Sequence, residues 1–130
     1  MSDIRKGRVF LSTHWDDDLQ TVRVRHRRGN DREKEEHKIL TNISKITKHL
    51  YVMDITYDVS LFFPDRDYWW ILLVTNDWRV YTIKNNFYCN ITSSDNGDVL
   101  LDVVNGLLGM KMYVSFSDSN NCRQSIYEID

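Results

Sequence analysis

The chain reads as an α+β domain, a twisted antiparallel sheet built from a meander of hairpins and packed by two helices, in the order ββαββββαββ. Three observations predict this. Apolar and polar residues alternate through most of the sequence, as they do in strands with one buried face. Residues 31–50 and 99–108 instead space their apolar positions at helical intervals. The composition has no alanine, the best helix former, beside many Val, Ile, Thr and Tyr, so strands should dominate.

Residues 8–15 form the first predicted strand, and Asp16-Asp17-Asp18 follow as a turn because aspartate bonds its own backbone. From Gln20 to Arg28 the alternation is clean: Val22, Val24 and His26 point one way, and Arg23, Arg25 and Arg27 the other. The two segments read as a hairpin. A helix is predicted over about 31–50, since Asn30 with Glu33 fits a capping box and Ile39, Ile43, Ile46 and Leu50 fall on one stripe.

Four antiparallel strands are expected over residues 51–92. Met53, Ile55 and Tyr57 face a core in the first, residues 51–63; the second, 68–75, is apolar on both faces, as a central strand would be. Asn76-Asp77 and Asn85-Asn86 are hairpin signals that set off strands at 78–84 and 87–92. A second helix is read at 99–108, capped by Asp98 and ended by Gly109. Met110 to Phe116 alternates as a strand, and a last short strand runs over 123–128. With 130 residues and no linker, repeat or low-complexity tract, one domain over 1–130 accounts for the chain.

Composition narrows the function classes. Hydrophobic residues are 42% and charged residues 28%, which excludes a disordered chain. The longest apolar run, Tyr68–Val74, is far short of the roughly 20 residues that span a bilayer, so no membrane partner is expected. The charged start, Met1 to Lys6, is not a signal peptide, and the expected setting is intracellular, in the cytoplasm or nucleus of a host cell. Absent alanine, a single proline and many Asn and Ile suggest an AT-rich coding genome and a viral source. Cys89 and Cys122 read as incidental thiols rather than a disulfide framework. Residues 1–50 carry 12 Lys/Arg against 8 Asp/Glu and residues 51–130 carry 5 against 11, so the halves differ in sign (+4 and −6). That asymmetry marks either an anion-binding end or complementarity within the fold.

Two surfaces could carry function. Adjacent Trp69 and Trp70 must point to opposite faces of a strand. An outward Trp70, with Trp78, Tyr68 and Tyr81 as neighbours, would anchor a protein partner, since Trp, Tyr and Arg dominate binding hot spots. Arg23, Arg25 and Arg27 on the strand, with Lys34, Lys38, Lys45 and Lys48 on one side of the predicted helix, would form cationic rows able to grip a phosphate backbone. The plainer reading makes those lysines a solvated helix face and pairs the arginines with Asp54 and Asp58. His14, Asp16 and Asp18, with His26 across the hairpin, are the material for a metal-dependent nuclease, but no further ligand stands at a matching spacing. Scattered glycines exclude a phosphate loop, and no cofactor motif is present. The sequence therefore points first to a small non-enzymatic interaction protein, binding a host protein through exposed aromatics and a sheet edge. Homodimerisation and RNA or DNA binding are the alternatives.

Overall fold

The computed structural model describes residues 3–29, 31–84, 86–119 and 121–129. They build ten strands and a single 3-10 turn, Arg32–Lys34. The strands are β1 (Ile4–His14), β2 (Leu19–Arg28), β3 (Glu35–Ile43), β4 (Ile46–Asp58), β5 (Asp67–Thr75), β6 (Val80–Thr82), β7 (Asp98–Gly106), β8 (Gly109–Ser115), β9 (Cys122–Ser125) and β10 (Tyr127–Ile129). Two five-stranded sheets result, one in the order β4-β1-β7-β8-β9 and the other β10-β6-β5-β2-β3. Their inner faces share one core, with Val9, Leu11, Leu101 and Val114 from the first and Val22, Val24, Trp69 and Ile71 from the second. The fold is an all-β sandwich, and no α-helix occurs among the described residues.

Both predicted helices are strands, and the reasons are physical. Over 31–50 the spacing of Ile39, Ile43, Ile46 and Leu50 suits a helix, but this β-branched stretch folds back at Ser44-Lys45 into β3 and β4. Asn42 and His49 take positive φ (57° and 49°), which a helix does not allow. Ile39 and Ile46 are each 51% exposed, so the stripe never forms one buried face. Over 99–108 the strand has period two: Val99, Leu101 and Val103 are buried, and Leu100, Asp102 and Val104 are half-buried. This strand, β7, lies between β1, with which it is parallel, and β8, with which it is antiparallel.

The expected hairpin over 8–28 is also corrected. β1 pairs with β4 and β7, β2 with β3 and β5, and the Trp15–Asp18 segment carries the chain from one sheet to the other. Nor is 51–92 a meander, because β4 belongs to the sheet opposite β5 and β6. Asn76-Asp77 does turn β5 into β6, whereas residues 87–92 hold only an isolated bridge, Tyr68 to Tyr88. The other Asn turn includes Asn85, which lies outside the described residues. The chain passes between the sheets again from β3 to β4, β4 to β5, β6 to β7 and β9 to β10.

Close backbone approach explains one glycine. The amide of Arg8 donates to the Gly97 carbonyl at 2.9 Å, and a Cβ on Gly7 would stand 2.3 Å from that oxygen. Segment 87–91 is strapped along the start of β5. The Cys89 amide donates to the Asp67 carbonyl at 3.0 Å, and Trp69 Nε1 donates to the Cys89 carbonyl at 2.9 Å. Cys89 is bonded to Cys122 of β9, so the two cysteines are a disulfide across 33 positions and not the separate thiols the sequence suggested.

Candidate functional site

Register fixes what the second sheet shows to solvent. Arg25 of β2 lies opposite Trp70 of β5 and His37 of β3, Arg27 opposite Tyr68 and Glu35, and Arg23 opposite Leu72 and Ile39. Because Trp69, Ile71 and Leu73 point into the core, Tyr68, Trp70 and Leu72 point out. The Arg25 guanidinium lies 4.7 Å from the Trp70 ring centre and the Arg27 guanidinium 5.9 Å from that of Tyr68. Tyr88 stands edge-on to Tyr68 at 6.1 Å, and Arg66 lies 4.5 Å over Tyr88. Such cation–π pairs contribute about 0.5–2 kcal/mol each, more as water is excluded. Beside this ladder the same face carries Leu72, Val74, Val80 and the half-exposed Ile39, Tyr127 and Ile129. No helix covers it.

Arg25 also pairs with Glu35 (Nε to Oε1, 3.3 Å). Burial lowers its pKa from the usual arginine value, with the Glu35 carboxylate acting against that. A pocket of about 390 Å³ opens at this end of the face, lined by Arg25, Arg27, Arg32, Glu35 and Asn86.

The expected aromatic set is therefore split. Tyr68 and Trp70 stand together on the outer face. Tyr81 does not join them: it is 3% exposed and packs edge-on against Trp15 at 5.2 Å, so it belongs to the core. Trp78 is 75% exposed but sits on the β5–β6 turn with φ 68°, beyond the far end of β5.

The basic set is split as well. Arg23, Arg25 and Arg27 do share a face, as their alternation predicts. The lysine row depended on a helix and disperses without it. Lys34 Nζ pairs with Asp65 at 3.2 Å. Lys38 is in register with Val24 on the opposite face from Arg25, and Lys45 and Lys48 fall at the other end of β3 and in β4. Lys34 and Lys45 flank β3 at opposite ends, roughly 30 Å apart at strand rise. The arginines do not meet Asp54 and Asp58, which lie on the other sheet. Other charges nonetheless join the two halves of the sequence: Arg8 with Asp98 at 3.0 Å and Arg28 with Asp65 at 3.4 Å.

His14, Asp16 and Asp18 do not converge. His14 Nδ1 faces Asp102 at 3.7 Å, while Asp18 Oδ1 accepts the Lys45 amide at 2.8 Å and holds the β3–β4 turn. Among the described residues no three His, Cys, Asp or Glu side chains are grouped to hold a metal ion.

His26 has a different role. Fully buried, it places Nδ1 2.6 Å from Glu36 Oε1 and Nε2 2.7 Å from Asp67 Oδ1, with Trp69 packed at 4.5 Å. Burial works against its charged form, but the hydrogen bonds and charges of Asp67 and Glu36 outweigh it and raise the pKa. Asp67 Oδ2 accepts the Ile91 amide at 2.9 Å, and Glu36 Oε2 accepts the Thr56 amide at 2.8 Å, so this cluster ties the two sheets and segment 87–91 together. Without solvent access the imidazole cannot meet a substrate. Sequence alternation placed His26 on the inner face, but its carboxylates come from 10 and 41 positions away, which no local pattern announces.

No protein-family model matches the chain, and no curated protein matches it in sequence.

Proposed function

We propose that the chain is a binding module whose ligand is another protein, held on the outer face of β2, β3 and β5. The Trp70–Arg25 stack carries this reading: a large, half-buried amphipathic ring with its cation already in place, beside the half-buried Leu72 and the exposed Ile39, on a sheet face that no α-helix of the described residues covers. Anchors of that kind with an apolar surround and a polar rim are what protein interfaces use. Arg23, Arg25, Arg27 and Arg66 give the face a cationic border, so the complementary partner surface combines apolar and acidic side chains. The dispersed lysines offer no continuous track for a polynucleotide.

The test is a quantitative capture comparison from host lysate among the wild type, Trp70→Ala and Trp78→Ala, all checked for equal unfolding midpoints. Proteins retained by the wild type and Trp78→Ala and lost from Trp70→Ala support the reading. Identical profiles for all three overturn it. Sedimentation of the pure protein identifies the case in which the partner is a second copy of this chain.

A further inference from the structure

We propose that the pocket at the β2–β3 end of this face receives a phosphomonoester carried by the protein partner; the inference rests on the binding-face reading above and names the group it recognises. The lining side chains Arg25, Arg27, Arg32 and Glu35 carry three positive charges against one negative, a local +2, in a chain whose formal net charge is −2. Arginine's planar fork fits the oxygens of a phosphate. Two of the guanidinium groups are held before any ligand arrives, Arg25 over Trp70 at 4.7 Å and against Glu35 at 3.3 Å, Arg27 over Tyr68 at 5.9 Å. Ordering them is thus already accomplished in the fold, which strengthens binding.

Arg27 lines the pocket with its Nε shielded from solvent, so the terminal nitrogens of its fork are the donors left to meet a phosphate. Asn86, also in the lining, adds an amide that can donate to a phosphate oxygen.

Size and surroundings choose the source. A volume of about 390 Å³ takes one phosphate and the side chain that bears it. A polynucleotide would need a cationic track that continues beyond the arginines of this face, and Lys38, Lys45 and Lys48 lie on the opposite face, at the far end or on the other sheet. Next to the pocket are Trp70, Tyr68 and Leu72, surfaces for peptide side chains.

Glu35 gives the proposal a signature that a merely structural role lacks. Its carboxylate competes with an incoming dianion for Arg25, so Glu35→Gln should tighten binding while Arg27→Gln weakens it. The assay is a 15N-detected NMR titration with phenyl phosphate, inorganic phosphate and a single-stranded decamer RNA. Expected are saturable shifts at the arginine side chains with phenyl phosphate, weaker by about tenfold in Arg27→Gln, the loss of one charge-assisted hydrogen bond, and stronger in Glu35→Gln. If Arg27→Gln does not fold, exposed Arg32→Gln replaces it with the same expected direction.

Equal affinity in wild type and Arg27→Gln or Arg32→Gln, or no saturation, overturns the site. Tighter binding of inorganic phosphate than of phenyl phosphate assigns the pocket to the free anion, and RNA binding whose salt dependence reports several phosphate contacts assigns it to nucleic acid; both overturn the proposal. Phosphatase treatment of the lysate separates it from the face itself. A partner lost with Trp70→Ala and also after phosphatase supports both, whereas one lost with Trp70→Ala but indifferent to phosphatase keeps the face and removes the phosphate.

Discussion

Replacing His26 with Phe keeps a ring against Trp69 and removes both donors from the buried cluster. In the native protein an imidazolium donates from both ring nitrogens to the two carboxylates, and the raised pKa favours that form. The carboxylates would not suffer equally. Glu36 retains the Thr56 amide and hydroxyl and keeps 24% of its side chain in water, while Asp67 is 1% exposed and would retain the Ile91 amide. Stranding a buried charge in this way costs about 3–5 kcal/mol, and that is the loss expected for His26→Phe in urea unfolding followed by tryptophan fluorescence. Adding Asp67→Asn removes the stranded charge and should restore a good part of the loss. The pH profile follows from the raised pKa. The stabilisation is complete below the ordinary histidine value of 6.5 and is lost as pH rises through the higher native value. The wild type should therefore weaken toward alkaline pH with a slope that His26→Phe lacks. A loss under about 1 kcal/mol, the ordinary size for a point substitution, or identical pH profiles, would refute the reasoning.

Other outcomes follow from features of the same kind. Removing the disulfide with Cys89→Ser and Cys122→Ser reopens a loop of 33 positions, which on chain entropy costs about 3.7 kcal/mol; an unfolding midpoint unmoved by reductant would contradict it. Because disulfides persist in oxidising surroundings, the alkylation state of the protein taken directly from its source tests the expected intracellular setting. Asp95 accepts the amides of Thr92, Asp118 and Ser119 and the Ser119 hydroxyl. Burial alone would raise its pKa, but these bonds, led by that from Ser119, hold it below the usual carboxylate value. Its contribution is thus full above the ordinary 3.8 and lost on acidification. Asp95→Asn should cost about 1.5–3 kcal/mol near neutrality, with the gap to wild type closing in acid; a gap that widens would contradict the assignment.

Period-two alternation made much of the sandwich legible. It located β1, β2, β5 and β8 to within a few residues and oriented Arg23, Arg25, Arg27 and Trp70 outward. Where the helical period won on paper, it won on too few positions. Ile39, Ile43, Ile46 and Leu50 satisfy spacings of 4, 3 and 4, yet Glu36 and Leu40 face inward with the neighbouring strand β2. Tertiary pairing overrode the periodicity, as it does in short β-branched segments. Tyr81 was placed wrongly because β6 has only three residues, too few to set a phase. The pocket was half visible: Arg25 and Arg27 stood on one face, but Arg32 and Asn86 reach it through a turn and a loop that no alternation describes.

The parallel pairing of β1 with β7 has a consequence during synthesis. β1 gains its antiparallel neighbour once Asp58 has been made, but its other neighbour begins at Asp98, 40 residues later. At about 5–20 residues per second the ribosome needs roughly 2–8 s to cover that interval. Throughout it, the backbone donors and acceptors of Arg8–His14 that point toward the missing β7 face water, with Val9 and Leu11 beside them. An open apolar strand edge is a template for another chain. Polysome crowding on the message would bring such edges together, so the yield of soluble protein should depend on how fast the middle third of the chain is translated.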